Sequence, residues 1–343
     1  MNDFARSLEN WYAEYGRTLP WRLTQDPYRI WISEIILQQT RVAQGIDYYN
    51  RFLKRFPTVE ALAFATSDEV MQQWEGLGYY SRARNLHAAA KQIIDMGAFP
   101  RDYSGVRALK GVGDYTAAAI CSFAFGLPYA VVDGNVYRVL SRYFGLDAPI
   151  DIAAGKKAFA SLASELLDLR TPALYNQAIM DFGALQCVPK SPDCSRCPLA
   201  DSCAAFGDNR VELLPVKSKR TAVKERFFAY IIILDECSVY IHRRGEGDIW
   251  AGLYEPLVVE TPRRASVEEV VPRGFCIVKV IEGLKHQLTH RTLFADAYVV
   301  KPEENSVLST LLPPDFIKVP LERLHDYAAP RLVNIIYEKL NFA

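Results

Sequence analysis

A chain of 343 residues, half of them apolar, is long enough to bury a sizeable core and favours two domains over one. Its 40 basic and 40 acidic residues cancel, so net charge gives no pointer to nucleic acid, and any DNA-binding surface must come from local placement of charge. The opening MNDFARSLENWYAEYGR has no apolar signal core, and the longest strongly apolar run, residues 227–234, is far too short to span a bilayer, so a soluble, cytoplasmic, monomeric protein is expected.

Residues 1–206 read as a helical domain. Residues 30–56, 68–73, 82–96 and 156–169 carry apolar side chains at helical spacing, and no strand alternation interrupts them. At 207–226 the texture changes: Gly207, Asp208, Asn209 and Pro215 break structure, and Arg210, Lys217, Lys219, Arg220, Lys224 and Arg226 outnumber Glu212 and Glu225. This stretch is expected to be an exposed basic linker, either a solvated connector or a track beside DNA phosphates. From 227 to 343 the runs FFAYIIILDE, CSVYIHRR and FCIVKVIEGLKHQLTHRTLFADAYVV are β-branched and aromatic, and residues 330–340 return to helical spacing. An all-α domain followed by a smaller α+β domain is the expected architecture.

Three motifs carry chemistry. In LKGVGDYTAAAI, Gly111 and Gly113 precede an Ala-rich helical stretch, which suits either an ordinary turn or a hairpin whose backbone N–H groups face a phosphate. The seven cysteines are an odd count, and Cys187, Cys194, Cys197 and Cys203 crowd together as C-x6-C-x2-C-x5-C. That clustering argues for a metal in a reducing compartment rather than a disulfide framework, with a cubane cluster or zinc both open on spacing alone. Cys121, Cys237 and Cys276 are expected in the core. Glu34 sits in the apolar string WISEIILQQT, where a carboxylate is either salt-bridged or pushed up in pKa by desolvation. Asp133, in VDGNV, precedes a helical run and reads as an N-cap.

Together these strings resemble the endonuclease III superfamily of DNA glycosylases, and within it the MutY family of adenine DNA glycosylases. The resemblance implies a helix-hairpin-helix at about 105–125, with Gly111 and Gly113 at DNA phosphate, and a [4Fe–4S] cluster on the four cysteines at 187–203, where Lys190 and Arg196 can meet phosphate. SEIILQQT implies that Glu34 protonates the adenine and later helps activate water; Asp133 stabilises or transiently attacks the sugar cation, and Asn135 orients the pair. Tyr115 stands where bifunctional relatives carry a Schiff-base lysine and is expected to hydrogen-bond the catalytic aspartate, so the resemblance implies a monofunctional enzyme. LPWR implies Trp21 and Arg22 at the adenine pocket, with Asp181 as an acidic adenine contact. Gln39 and Tyr79 match residues inserted beside the mispair, and Arg82 and Arg84 match phosphate contacts.

For the second domain, DIWAGLYEP at 248–256 resembles the Nudix-like C-terminal domain of that family. The R-E-x-x-E-E string of a working Nudix box is missing, so a binding module is expected and pyrophosphate hydrolysis is not. The loop that senses 8-oxoguanine, commonly F-S-H, corresponds to Leu288, Thr289 and His290. Threonine keeps the hydroxyl, whereas leucine gives up an aromatic surface. The implied partner is double-stranded DNA with adenine opposite 8-oxoguanine or guanine. Two alternatives stand beside this reading: an endonuclease III-like thymine or oxidised-pyrimidine glycosylase with lyase activity, and a catalytically silent lesion-binding protein.

Overall fold

The computed structural model describes residues 3–218, 223–304 and 308–342. It falls into two compact units, one of residues 1–64 with 85–220, the other of 65–84 with 221–343. Among the described residues no helix is long and apolar enough to cross a membrane.

The first unit is helical throughout its regular structure. The expected long helix over 30–56 is two, Pro27–Leu37 and Val42–Arg55, because Gln39 turns the chain at a φ of 59°. Asp26 caps the first by accepting from the Tyr28 amide at 2.9 Å, and Pro27 takes a first-turn position, where its missing N–H costs nothing. That helix is apolar almost all round and buries Ile30, Trp31, Ile32, Ile35 and Ile36, as a helix at the centre of a bundle must. It packs on Asp114–Phe125, whose Ala117, Ala118 and Ala119 permit close approach. A second layer joins Asp3–Tyr15, Gly134–Phe144 and Pro172–Leu185 through Leu8, Trp11, Val139, Ile179 and Phe182.

The second unit holds a mixed sheet of β1 (Lys224–Asp235), β2 (Ser238–Arg243), β3 (Tyr254–Glu255), β4 (Leu257–Thr261), β5 (Phe275–Gln287), β6 (Arg291–Pro302) and β7 (Ile317–Pro320). Its main path runs β3-β2-β1-β6-β5, with β1 and β6 parallel. β1 is buried on both faces: Phe228, Tyr230 and Ile232 meet Leu332, Val333 and Ile336 of the helix Arg331–Leu340, while Ala229, Ile231 and Ile233 meet Val270 and Val300. β5 and β6 form a hairpin whose tip is Leu288–His290, closed by the Leu288 amide donating to the Arg291 carbonyl at 2.8 Å.

Several expectations need correction. The stretch after 206 is not a free tether: Leu214 is buried, the Ile150 amide donates to the Val216 carbonyl at 3.0 Å, and the Ser218 amide donates to Asp151 at 2.9 Å. Arg226 lies within β1 in ion pairs with Asp248 and Glu260, so it is not a phosphate contact; Lys219 and Arg220 lie outside the described residues. Cys121 is buried, but Cys237 and Cys276 are exposed, because the turn after β1 and the outer strand β5 carry them away from the cores.

Gly183 permits a close crossing of two helices, since a Cβ there would lie 2.7 Å from the Asn135 Cβ and 2.9 Å from its carbonyl oxygen. Gly183→Ala should therefore lower stability by about 1–3 kcal/mol and displace the start of the helix Gly134–Phe144. Urea unfolding measures the loss, and a wild-type midpoint would refute the crossing as a constraint.

Candidate active site

A cavity of about 430 Å³ in the first unit is lined by residues from both expected catalytic strings, among them Trp21, Arg22, Glu34, Tyr115, Asp133 and Asn135. Glu34 reaches it from the helix Pro27–Leu37 and is 6 % exposed. Burial pushes its carboxyl from the ordinary 4.5 up to about 7; the Asp133 charge adds to the rise, while a hydrogen bond from Tyr115 and the nearby Arg22 oppose it. Glu34 can therefore hold a proton near neutrality and release it.

Asp133 reaches the same cavity as the N-cap of Gly134–Phe144. One carboxylate oxygen accepts from the Val136 amide and the other from the Asn135 side chain, both at 2.8 Å. Burial raises its pKa, against the pull of those two bonds and the charge of Arg138. The two carboxyls thus differ in kind: Glu34 is buried and receives one phenol bond, whereas Asp133 is held by two donors, a backbone and a side-chain amide. Asn135 is fixed in turn by Arg138, which donates to its Oδ1 at 2.9 Å and to the Cys187 carbonyl at 2.7 Å. The Tyr115 hydroxyl bonds Glu34 rather than the expected aspartate and meets Asp133 through charge alone; burial drives its own pKa well above 10.

Asp181 does not fit its expected place at the adenine. It is fully buried and carries Arg17 and Arg22: Arg22 donates to its two oxygens at 2.7 and 2.8 Å, and the Arg17 amide and guanidinium complete the cluster. Burial alone would raise its pKa, but the bonds from Arg22 and Arg17 hold it below the usual range. Asp181 therefore positions arginines that line the cavity. Sequence reading also missed Gln177, one turn earlier on the same helix face, which lines the cavity and accepts from the Tyr12 hydroxyl at 3.0 Å. The spacing from Gln177 to Asp181 was visible, but not which of the two faces the void.

Gln39 is exposed at the cavity rim. Gly111 has a φ of 79°, where a side chain would also meet Asn85 at 2.6 Å, and Gly113 caps the helix Asp114–Phe125 with open space around its Cα. The first-turn amides of that helix have no carbonyl of their own to bond, which suits an anion, and Arg107 neutralises Asp114 at 2.6 Å. Lys190 and Arg196 are exposed. Arg82 is buried, donating to the Leu77 and Gly78 carbonyls at 3.2 Å and lying over Trp74, so it shapes its loop instead of meeting phosphate.

In the second unit, a larger cavity of about 660 Å³ gathers Tyr79, Trp250, Leu288, Thr289 and His290. The hydroxyls of Tyr79 and Thr289 hydrogen-bond each other. Arg84, also on its lining, donates to the Ala251 carbonyl at 2.5 Å.

The four cysteines of 187–203 line one pocket in the first unit. Four thiol sulfurs gathered on one pocket are a donor set that suits an iron–sulfur cluster. Arg142 donates to the Cys187 sulfur at 3.4 Å and to the Val188 and Pro189 carbonyls at 2.8 and 3.0 Å, a cation placed where a thiolate is needed.

Three family models match: HhH-GPD superfamily base excision DNA repair protein over residues 32–163, the iron–sulfur binding domain of endonuclease III over 187–203, and a NUDIX domain over 229–339. The adenine DNA glycosylase of Buchnera aphidicola subsp. Baizongia pistaciae is 32% identical over 317 residues, covering 89% of this chain and 88% of that one. The chain belongs to the adenine DNA glycosylase family. The Homo sapiens member is 42% identical over 213 residues, covering 59% of this chain and 39% of its own. Among solved structures, a thermostable thymine-DNA glycosylase matches 60% of this chain and 95% of its own at 31% identity and a TM-score of 0.56. As in the family, the cofactor of the cysteine loop is a [4Fe–4S] cluster; Cys187, Cys194, Cys197 and Cys203 would hold it, and they lie on a segment whose regular structure is short turns.

A native pKa near 7 against an ordinary 4.5 means the folded state binds the Glu34 proton more tightly than the unfolded state does. Stability is then lost as pH rises from about 4.5 to 7, by on the order of 3 kcal/mol. Glu34→Gln should be inactive yet more stable than wild type at pH 8, with the gap closing at pH 5. Urea midpoints at both values test this, and a gap independent of pH would contradict a desolvated Glu34.

Proposed function

We propose that this enzyme, an adenine DNA glycosylase of base excision repair, hydrolyses the N-glycosidic bond of adenine mispaired with 8-oxoguanine, and with guanine, in duplex DNA. The observation that carries the reading is the pairing in one cavity of a carboxyl that titrates near 7 with a carboxylate held by two donors.

In this mechanism adenine is turned out of the helix into the cavity beside Trp21, Arg22 and Gln177. Glu34 gives its proton to a ring nitrogen, the C1′–N bond breaks with its electron pair leaving on the base, and positive charge spreads over C1′ and the ring oxygen. Asp133 stabilises that cation or bonds to it transiently. The Glu34 carboxylate then takes a proton from water as the water oxygen bonds C1′, giving an abasic sugar and restoring the acid. Tyr115 favours the anionic form of Glu34 through its hydrogen bond and so assists the second half. It offers no amine, and an imine with the sugar cannot form there. Gly111 and Gly113 hold a phosphate, Gln39 and Tyr79 enter the helix, and the Leu288–His290 loop reads the base opposite the adenine.

The test uses duplexes with adenine opposite 8-oxoguanine, guanine, thymine or cytosine, followed under single turnover with and without alkali. Release should be fastest opposite 8-oxoguanine and strand breaks should need alkali. With Glu34 as acid, the rate should fall about tenfold per pH unit above about 7. Breaks without alkali would favour an endonuclease III-like lyase, and a rate flat from pH 6 to 9 would remove Glu34 from the acid role.

A further inference from the structure

We propose that Trp250 supplies the aromatic platform against which the base opposite the adenine is held, the surface that Leu288 at the tip of the reading loop does not provide. The proposal rests on the reading of the Leu288–His290 loop given above.

Trp250 lines the cavity that also holds Tyr79, Leu288, Thr289 and His290. It is half-buried, its ring centroid 6.4 Å from that of Phe228 and 6.1 Å from that of His286. One part of the indole is thus fixed by packing while the residue still borders the void. Its backbone has a φ of 62°, a left-handed conformation that a bulky residue rarely adopts. The same turn has glycines at positive φ, Gly247 and Gly252, so a bulky side chain at 250 is an addition to the turn rather than its requirement.

The turn is also clamped to the loop. Asp248, two residues before Trp250, accepts from Arg226 twice at 2.7 Å, from Arg244 at 2.9 Å and from Arg291 at 3.0 Å. Arg291 directly follows His290, so one carboxylate ties the turn bearing Trp250 to the chain that leaves the loop tip. The backbone of the turn is closed by the Leu253 amide donating to the Trp250 carbonyl at 3.0 Å and by the Arg84 guanidinium on the Ala251 carbonyl at 2.5 Å. A rigid indole bordering a cavity with hydroxyl and imidazole groups suits a flat purine, stacked on one side and hydrogen-bonded at its edge.

The experiment uses the full-length, cluster-loaded protein as wild type, Trp250→Leu, Trp250→Phe and the double variant Trp250→Leu with Leu288→Phe. Single-turnover rates with adenine opposite 8-oxoguanine and opposite guanine give a ratio for each. Trp250→Leu should lower that ratio about tenfold, Trp250→Phe should keep most of it, and Leu288→Phe should restore several-fold of what Trp250→Leu loses. A second readout is independent of catalysis: indole fluorescence quenched by a duplex with a non-cleavable adenine analogue opposite 8-oxoguanine should lose part of that quench in Trp250→Phe. A Trp250→Leu ratio equal to wild type, or an unchanged quench in Trp250→Phe, overturns the proposal. A wild-type ratio near one would instead overturn the loop reading on which it rests.

Discussion

A carboxyl group buried among apolar side chains is the constraint on which the first unit depends. Glu34 stands on a helix that is apolar almost all round, and that helix can exist only as the centre of a bundle. The same burial that makes the bundle fold raises the Glu34 pKa to about 7. Stability and chemistry therefore pull against each other at one residue, and the surrounding helices supply the stability that the ionised carboxyl takes away.

Its partner solves a different problem with the same functional group. Asp133 would be an ordinary N-cap in any helix, satisfying the Val136 amide. Here the cap also borders a cavity, and the bond from Asn135 opposes the rise in pKa that burial causes. Arg138 then holds Asn135 and the Cys187 carbonyl together, so the helix start and the cysteine loop share a single guanidinium. Asp181 gathers Arg17 and Arg22, and Asp248 gathers Arg226, Arg244 and Arg291. In each case a planar fork with several donors fixes groups that lie far apart in sequence, which a lysine does not do.

How much of this was legible beforehand depended on the range of the interaction. Helical spacing gave the helices Ser67–Trp74 and Ser81–Met96 nearly to their ends and placed Ala153–Leu166 three residues late, and β-branched runs gave β1, β2, β5 and β6. The short strands β3, β4 and β7 carried too few residues for any period to show. Glu34, Tyr115 and Asp133 were legible as strings, and they do line one cavity. Which carboxyl the phenol would bond was not legible, since Tyr115 and Asp133 are close in sequence whereas Glu34 reaches Tyr115 only through packing of two helices. Asp181 was misread because an acid beside a pocket and an acid beneath it have the same local sequence. Gln177, one turn away, is the residue that lines the void.

Backbone strain marks the places where a side chain was kept at a cost. Gln39, Tyr79 and Trp250 all have positive φ; Gln39 lines the cavity of Glu34, and Tyr79 and Trp250 line that of the Leu288–His290 loop. Glycine would relieve every one of these positions, as it does at Gly76, Gly78 and Gly252 close by. A tight turn explains the backbone but not the choice of an amide, a phenol and an indole to occupy it. A backbone held in that region persists only where the surrounding structure over-determines it. Rigidity is what a group must have if it is to fill the space of an extruded base or to offer one face to the base that remains. At Trp250 the strained turn and the Asp248 ion cluster act on one segment, which Arg226 ties to β1 and Arg291 to the start of β6.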